Sequence, residues 1–503
     1  MSRIPDRSTA LWILLALALA VGSWLWVHRE LPYSLWSGDA NEYAEIARRL
    51  ANGEGFTTGV IFPVELTLGA TRDHPVVMRP PLWPLVLSPF FAAFGPRESV
   101  VHGVVLLCHI ATIALTMALA TALAGRAIGA IAGISVAVSS QFMVFVFDGT
   151  AEPLFAALVT LTFLLLARNA NPFWLGVASG LAYLARYNGL VLLPVILLFL
   201  ALRREGISRL GWCVAGFAAV AAPWWLRNLA VFGDPLYSPL ALNLYMSPEL
   251  TARNASLLYM LVPDLSSAVA VDPIIKATRQ LPELLLEWPL ASANLAACLG
   301  VAWACLRRDR LSLAVAAVAA ATTLGIALAL PMGRYFMPLL PAVLALGAAG
   351  WARYGGRLRI PALALLLAAP WLPEIPRPIH DVAFLRAGMT VTRQAYRERR
   401  ADPAGRQKVA AALSRCLSED SLVVAQNAAG VTWDTGAVAI YSPASDADFW
   451  EIVEQHPVEY VHLPNFKRIA RDRFESEFRA VPDCAPDLYE RRRAPQREPP
   501  PIE

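Results

Sequence analysis

Apolar runs follow one another along most of this chain, and they decide which solvent it folds in. One begins just after MSRIPDR and continues through Trp24, Leu25 and Trp26. Others occupy residues 100–124, 127–147, 151–167, 173–185, 188–202, 210–226, 288–306, 311–330, 335–351 and 360–372. A backbone in hydrocarbon has no water to bond, so each run must close its hydrogen bonds internally, as a helix. A membrane core about 30 Å thick takes about 20 residues at 1.5 Å rise. The runs therefore predict a mainly α, polytopic transmembrane helical bundle of about eleven spans. Those at 173–185 and 360–372 are short enough to be buried or re-entrant segments instead. Composition agrees: 56% hydrophobic against 16% charged in 503 residues lies outside the range of ordinary water-soluble chains. Ala18 to Ala20 could pass for a signal-peptide cleavage site, but the apolar run continues past it, which favours a retained anchor.

Orientation follows from the short loops. Arg3 and Arg7, Arg126, Arg168, the group Arg203, Arg204 and Arg209, the group Arg307, Arg308 and Arg310, and the group Arg353, Arg357 and Arg359 fall on alternate connections. The positive-inside rule puts these loops and the N-terminus in the cytoplasm, consistent with a bacterial inner (plasma) membrane. Segments 28–99 and 228–287 and everything after about residue 373 then lie outside. The chain divides into a transmembrane region, 1–375, with 28–99 as its first outer loop, and an extracytoplasmic α/β domain, 376–503. In the second region DSLVVAQNA, AVAIYSP and VEYVHLP read as strands and DADFWEIVEQH as a helix. FESEFRAVPDCAPDLYERRR reads as two more strands around a turn, before a disordered QREPPPIE tail. Cys416 and Cys484, alone among the six cysteines in lying in polar sequence, are either two free thiols or, in an exported domain, a disulfide. A net charge of +4 with dispersed arginines excludes nucleic acid as a partner.

Chemistry concentrates in the first outer loop, SGDANEYAEIARRLANGEGF followed by RDHPVVMRPPLWPLVLSPFFAAFG. Asp39 stands just beyond the first span. From Glu42 to Leu50 the spacing predicts a helix along the membrane surface, with Tyr43, Ile46, Ala47 and Leu50 on one stripe and Glu45, Arg48 and Arg49 on another. Asp39 is then the helix cap or lies just ahead of it. After Arg79, Pro80 and Pro81 comes an apolar stretch of about a dozen residues, too short to span, which predicts an interfacial or re-entrant helix. Asp148 and Glu152 read as a solvated turn and a helix cap. His74 has no paired ligand, so no metal site is assigned.

These pieces together resemble the C-type glycosyltransferases (GT-C). The acid after the first span, YAEIARRLANGEGF, RPPLWP, GLAYLARYNGLVLLP, PWWLRNLAVFGDPLY, RYFMPLLP and the C-terminal VTWDTGAVAIYSP and VEYVHL carry the likeness. The branch most similar includes protein O-mannosyltransferases and the lipid A aminoarabinose transferase. The resemblance implies transfer of a sugar, a hexose or pentose, from a polyprenyl-phosphate donor to a lipid, glycan or protein acceptor at the outer membrane face, with inversion. It casts Asp39 as the catalytic general base, with Glu42 in support. A departing lipid phosphate needs positive charge at the lipid boundary. Arg79, Arg186, Arg227 and Arg334, with Tyr335, are the candidates for donor phosphate or substrate binding, each set against snorkelling or a structural ion pair. The family often shows a second acid beside the first, whereas Ala40 follows Asp39 here, which leaves a divalent cation as an open possibility and no other cofactor implied. The competing reading is a membrane transporter or lipid flippase without glycosyl transfer. Two similar halves and charged helices at mid-membrane would mark it, and neither is clear.

Overall fold

The structure is a computed structural model, and it describes residues 7–30, 33–245, 257–261, 295–328, 333–368, 405–463 and 471–492, with single positions 275, 278, 281 and 469. The domain boundary near 376, most of the 228–287 loop and the QREPPPIE tail lie outside the described residues.

Helices account for most of the described chain. Helix α1 (Arg7–Glu30) leads to α2 (Gly38–Asn52), the short α3 (Pro63–Leu66) and α4 (Leu82–Phe94) in the first loop. The bundle continues through α5 (Glu98–Ala124), α6 (Arg126–Ala137), α7 (Ser140–Asp148), α8 (Glu152–Ala167), α9 (Pro172–Ala185), α10 (Leu192–Leu202) and α11 (Ile207–Phe232). Then come α12 (Leu295–Leu306), α13 (Arg310–Leu328), α14 (Leu340–Tyr354) and α15 (Arg359–Ala368). Among the described residues, four helical stretches are long and apolar enough to cross a membrane: Glu98–Ala124, Ile207–Phe232, Arg310–Leu328 and Tyr335–Tyr354. Several others are apolar but shorter.

The apolar run at 127–147 is not one helix. It breaks into α6 and α7 at Ser139, whose hydroxyl accepts a hydrogen bond from the Phe142 N–H at 3.4 Å and so starts a new helix. Hydropathy cannot register such a break, because both halves are equally apolar.

Small residues let some helices approach closely. A Cβ placed on Gly176 of α9 would lie 1.9 Å from the Cys213 carbonyl oxygen, and one on Gly216 of α11 would lie 2.1 Å from that of Phe173. Lipid tails are as apolar as leucine, so helices in a bilayer associate through such packing rather than by escaping water.

The polar C-terminal region forms a sheet flanked by α16 (Gly405–Leu413), α17 (Ala428–Thr435), α18 (Asp446–Gln455) and α19 (Arg471–Glu477). In the first loop, β1 (Thr57–Thr58) pairs antiparallel with β3 (His74–Pro75). The large sheet has the order β2-β5-β4-β6-β8-β7, where β2 is Val60–Ile61, β4 Leu422–Ala425, β5 Val438–Tyr441, β6 Tyr460–His462, β7 Phe478–Ala480 and β8 Leu488–Arg491. Strands β2, β5, β4 and β6 run parallel, and β8 and β7 complete the sheet antiparallel. Strand β2 belongs to the first outer loop and sets Val60 against Ala439 and Ile61 against Ile440. The two regions of the sequence thus share one sheet, and the loop covers the edge of β5. A disulfide joins Cys416 to Cys484.

Two stability measurements follow. Gly216→Val, which forces side-chain atoms into the α9 backbone, lowers stability by roughly 1–3 kcal/mol or more. Gly103→Ala, where the added Cβ meets nothing within 4 Å, leaves the thermal midpoint of the detergent-solubilised protein near that of the parent. Replacing both Cys416 and Cys484 with serine removes a link across 68 residues, and a cost of about 2–4 kcal/mol is expected in denaturant unfolding under non-reducing conditions. An unchanged midpoint would show that the link is not formed.

Candidate active site

Helix α2 starts where Ser37, in extended conformation, accepts a hydrogen bond from the Ala40 N–H at 3.2 Å. Ser37 is therefore the N-cap, and Asp39 lies in the first turn of the helix. The left-handed Gly53 ends the helix. The expected surface helix is also more deeply placed than its pattern predicts, since its polar stripe is buried as well as its apolar one. Glu45 receives Arg49, Thr58 Oγ1 at 2.7 Å and the Gly59 N–H at 3.2 Å. Arg48 donates to the Trp433 and Thr432 carbonyls at 2.9 and 3.1 Å, tying α2 to the end of α17.

On the other side of α2, one guanidinium nitrogen of Arg79 donates to Asp39 Oδ1 and to Glu42 Oε2, each at 2.7 Å. Prolines 80 and 81 restrict the backbone just after Arg79, and α4 follows immediately. Asp39 and Arg79 keep 17% and 16% side-chain exposure, whereas Glu42 keeps 2%. Burial raises the Glu42 carboxyl to about 7, although Arg79 pulls it down. Burial alone would lower the Arg79 guanidinium, but Asp39 and Glu42 together hold it well above its ordinary value. Arg79 also stands over the Tyr43 ring, 5.4 Å from its centroid.

A second ion pair approaches the same tyrosine. Arg186 donates to Glu152 Oε1 at 2.6 Å and lies over the Tyr335 ring at 5.4 Å. Burial raises the Tyr43 phenol, and the charges of Arg79, Arg186, Asp39 and Glu152 all act on it. Of the residues singled out from sequence, Asp39, Glu42 and Arg79 are thus brought together at α2, and Arg186 and Tyr335 form a second group whose charge acts on Tyr43. Glu152, read from sequence as a cap, is instead a carboxylate turned onto Arg186. Glu152 and Tyr43 are additions that sequence spacing did not mark for the site. The signal for Glu152 lay in its nearly full burial, 1% exposed, which no pattern of neighbours reveals. Among the described residues, the buried Arg79 Nε and Glu152 Oε2 find no hydrogen-bond partner, so one donor and one acceptor are left for something else to satisfy.

Tyr441, at the end of β5, comes so close to the start of α2 that a Cβ on Gly38 would meet its hydroxyl at 2.8 Å. The C-terminal sheet thereby reaches the neighbourhood of Asp39. Arg227 stands in an aromatic box, 4.8 Å from the Trp224 centroid, 5.1 Å from Phe232 and 5.8 Å from Phe56. Its guanidinium donates to Asn228 Oδ1 at 3.0 Å. Arg334 belongs to the 3-10 turn Gly333–Leu339, and its side chain lies outside the described residues. His74 is buried, with Nε2 3.7 Å from Glu65. Among the described residues no three His, Cys, Asp or Glu side chains gather to hold a metal ion.

The pH dependence of this cluster is measurable. With Glu42 raised to about 7 against 4.5 in the unfolded chain, the folded state holds the extra proton between those values. The Glu42 contribution to stability is therefore present below pH 4.5 and declines as pH rises toward 7. Glu42→Gln should flatten that part of the stability profile, and an unaltered slope between pH 4.5 and 7 would show that Glu42 titrates elsewhere.

Comparison with known proteins shows what the chain is similar to. Residues 74–226 match the profile of the dolichyl-phosphate-mannose-protein mannosyltransferase family. No curated protein matches the chain in sequence. Among solved structures, ArnT from Cupriavidus metallidurans bound to undecaprenyl phosphate aligns over 95% of this chain and 97% of its own, at 14% identity and a TM-score of 0.56. The archaeal oligosaccharyltransferase AglB from Archaeoglobus fulgidus, in complex with an inhibitory peptide and a dolichol-phosphate, aligns over 91% and 69%, at 13% identity and a TM-score of 0.54. Residues 74–226 are therefore similar to the dolichyl-phosphate-mannose-protein mannosyltransferase family, and the chain shares its fold with ArnT and AglB.

Proposed function

We propose that the chain transfers a sugar from a polyprenyl-phosphate donor to an acceptor hydroxyl at the outer membrane face, with Asp39 as general base and inversion at the anomeric carbon. The observation that carries this reading is the pairing of a partly exposed Asp39 with Arg79 and the deeply buried Glu42. Two carboxylates beside one guanidinium disfavour double ionisation, and burial assigns the proton to Glu42. Asp39, held in place by Arg79 at 2.7 Å, keeps 17% of its side chain exposed and is open enough to reach a substrate.

In the reaction, the Asp39 carboxylate takes the acceptor hydroxyl proton as the oxygen attacks the anomeric carbon. The bond from that carbon to the donor phosphate breaks, and its electron pair leaves with the phosphate. Negative charge develops there, and Arg186, aided by Tyr335 and Arg334, is the group proposed to meet it. Arg186 is held by Glu152, so its fork is oriented before substrate arrives. Arg227 lines an aromatic wall that suits the donor better than the reacting atoms. A divalent cation is not required by these steps.

The names of the structural neighbours, bound to undecaprenyl phosphate and to dolichol-phosphate, support a lipid-phosphate donor. The topology proposed with this reading is that of about eleven spans, a cytoplasmic N-terminus and an outer C-terminal domain. Four helices long and apolar enough to span, with shorter apolar ones among the described residues, support a polytopic reading, and a disulfide between Cys416 and Cys484 suits an oxidising compartment.

Asp39→Asn tests the assignment in membranes supplied with a polyprenyl-phosphate sugar. Loss of a general base is expected to lower transfer by 10²–10⁴-fold, roughly, with donor binding retained. Undiminished transfer in the variant removes Asp39 from the chemistry. Movement of lipid across the bilayer with no sugar transferred by the parent protein would favour a flippase instead.

A further inference from the structure

A polar cavity opens on the far side of α2. Arg48, which lines it, lies nine residues beyond Asp39, half a turn around the helix axis. The cavity measures about 280 Å³ and is bounded by Arg48, Arg97, Glu98, Arg406, Trp433 and Asp434, among others. Its charges do not cancel. Arg406 takes both carboxylates, meeting Glu98 at 2.7 Å and Asp434 at 3.1 Å. Arg48 donates to the Trp433 and Thr432 carbonyls and lies 5.2 Å from the Trp433 ring, and it makes no salt bridge among the described residues. Arg97, exposed at the head of α5, has no carboxylate partner among the described residues. Two guanidiniums therefore face the cavity without a salt bridge among the described residues, and its three arginines outnumber its two carboxylates.

The position of the cavity says where an anion would come from. Arg97 precedes a 27-residue helix that is apolar enough to span, so this rim sits at a membrane–water boundary. Just before it, Phe94 and Leu85 of α4 are 63% and 48% exposed, as apolar side chains are when they meet lipid. Membrane lipids are held at such places by a basic pocket for the headgroup beside an apolar flank for the chains. A soluble phosphate would gain nothing from the flank. The amide groups at the start of α5 add their own attraction for a phosphate oxygen.

We propose that this cavity is a site for the phosphodiester headgroup of an anionic membrane phospholipid, held by Arg97 and Arg48. Arg406 lends it shape while joining α16 to the first loop. The site is separate from the proposed transfer chemistry, so a lipid bound there works as a structural or regulatory ligand of the junction between α2 and the C-terminal sheet. Because Asp39 and Glu42 lie on the opposite face, its loss and the loss of transfer are distinguishable.

Native mass spectrometry of the detergent-purified full chain tests this, with added phosphatidylglycerol or phosphatidylcholine. One phosphatidylglycerol should be retained preferentially. Arg97→Gln, a change at an exposed position, should reduce that retention about five-fold, since one basic side chain near an anionic lipid is worth ~1 kcal/mol. Ala410→Phe, which fills the cavity from α16, should reduce it as well. Equal retention by parent and both variants overturns the site, as does equal retention of phosphatidylcholine. Displacement of the lipid by inorganic phosphate at low millimolar concentration overturns the assignment to lipid, because it shows that the anion alone is recognised.

Discussion

A buried polar group must find a partner, and the arrangement of this protein turns on how helix α2 meets that demand. The helix carries acids and arginines on both sides, yet water reaches few of them. Glu45 and Arg49 satisfy one another with the help of Thr58, Gly59 and Asp73. Arg48 caps the carbonyl end of α17. Asn41 accepts from Arg406 at 2.9 Å. Asp39 and Glu42 share Arg79. These partners come from the first loop and from the C-terminal region, and Arg406 also reaches Glu98, so seating α2 brings together the first loop, the head of α5 and the C-terminal region.

Arg406 shows the cost and the reward of this strategy most clearly. Its two terminal nitrogens reach Ser34, Glu98, Asn41 and Asp434. Burial raises the Asp434 carboxyl to about 6 despite that guanidinium. A buried charge cluster of this kind adds little net stability compared with an apolar replacement, but removing one member leaves the others desolvated and unpaired. The contribution is therefore geometric: it selects one docking of α16 and α17 on α2 rather than a family of loose ones. The sharing of β2 with β5 acts in the same direction, because pairing Val60 with Ala439 fixes the register of the loop along the sheet.

The proposed chemistry depends on that rigidity. A base that is to take a proton from a weak acceptor must stay ionised and stay still. Arg79 serves both ends, and the restricted backbone at prolines 80 and 81 sets its height above α2. Glu42 separates the roles of two nearby carboxylates through burial alone: one side chain is almost wholly enclosed and tends to hold its proton, and the other keeps an opening. Arg186, paired with Glu152 and stacked over Tyr335, repeats the pattern on the bundle side, and its charge reaches Tyr43 beneath Arg79.

The local terms of this structure were legible in residue order. Run lengths predicted helices because a chain in hydrocarbon has no alternative, and the alternation of DSLVVAQNA, AVAIYSP and VEYVHLP marked strands that stand at 422–425, 438–441 and 460–462. Asp39, Glu42, Arg79, Arg186 and Tyr335 were marked by their chemistry, their place at helix ends and a family resemblance. What residue order could not express was distance and burial. The burial of the polar stripe of α2, the turn of Glu152 toward Arg186, the pairing of Cys416 with Cys484 and the entry of β2 into a sheet nearly 380 residues away in sequence, about the separation of Val60 from Ala439, all depend on contacts between distant segments. Periodicity reports which side of a helix is polar; only the packed chain determines whether that side meets water or a partner.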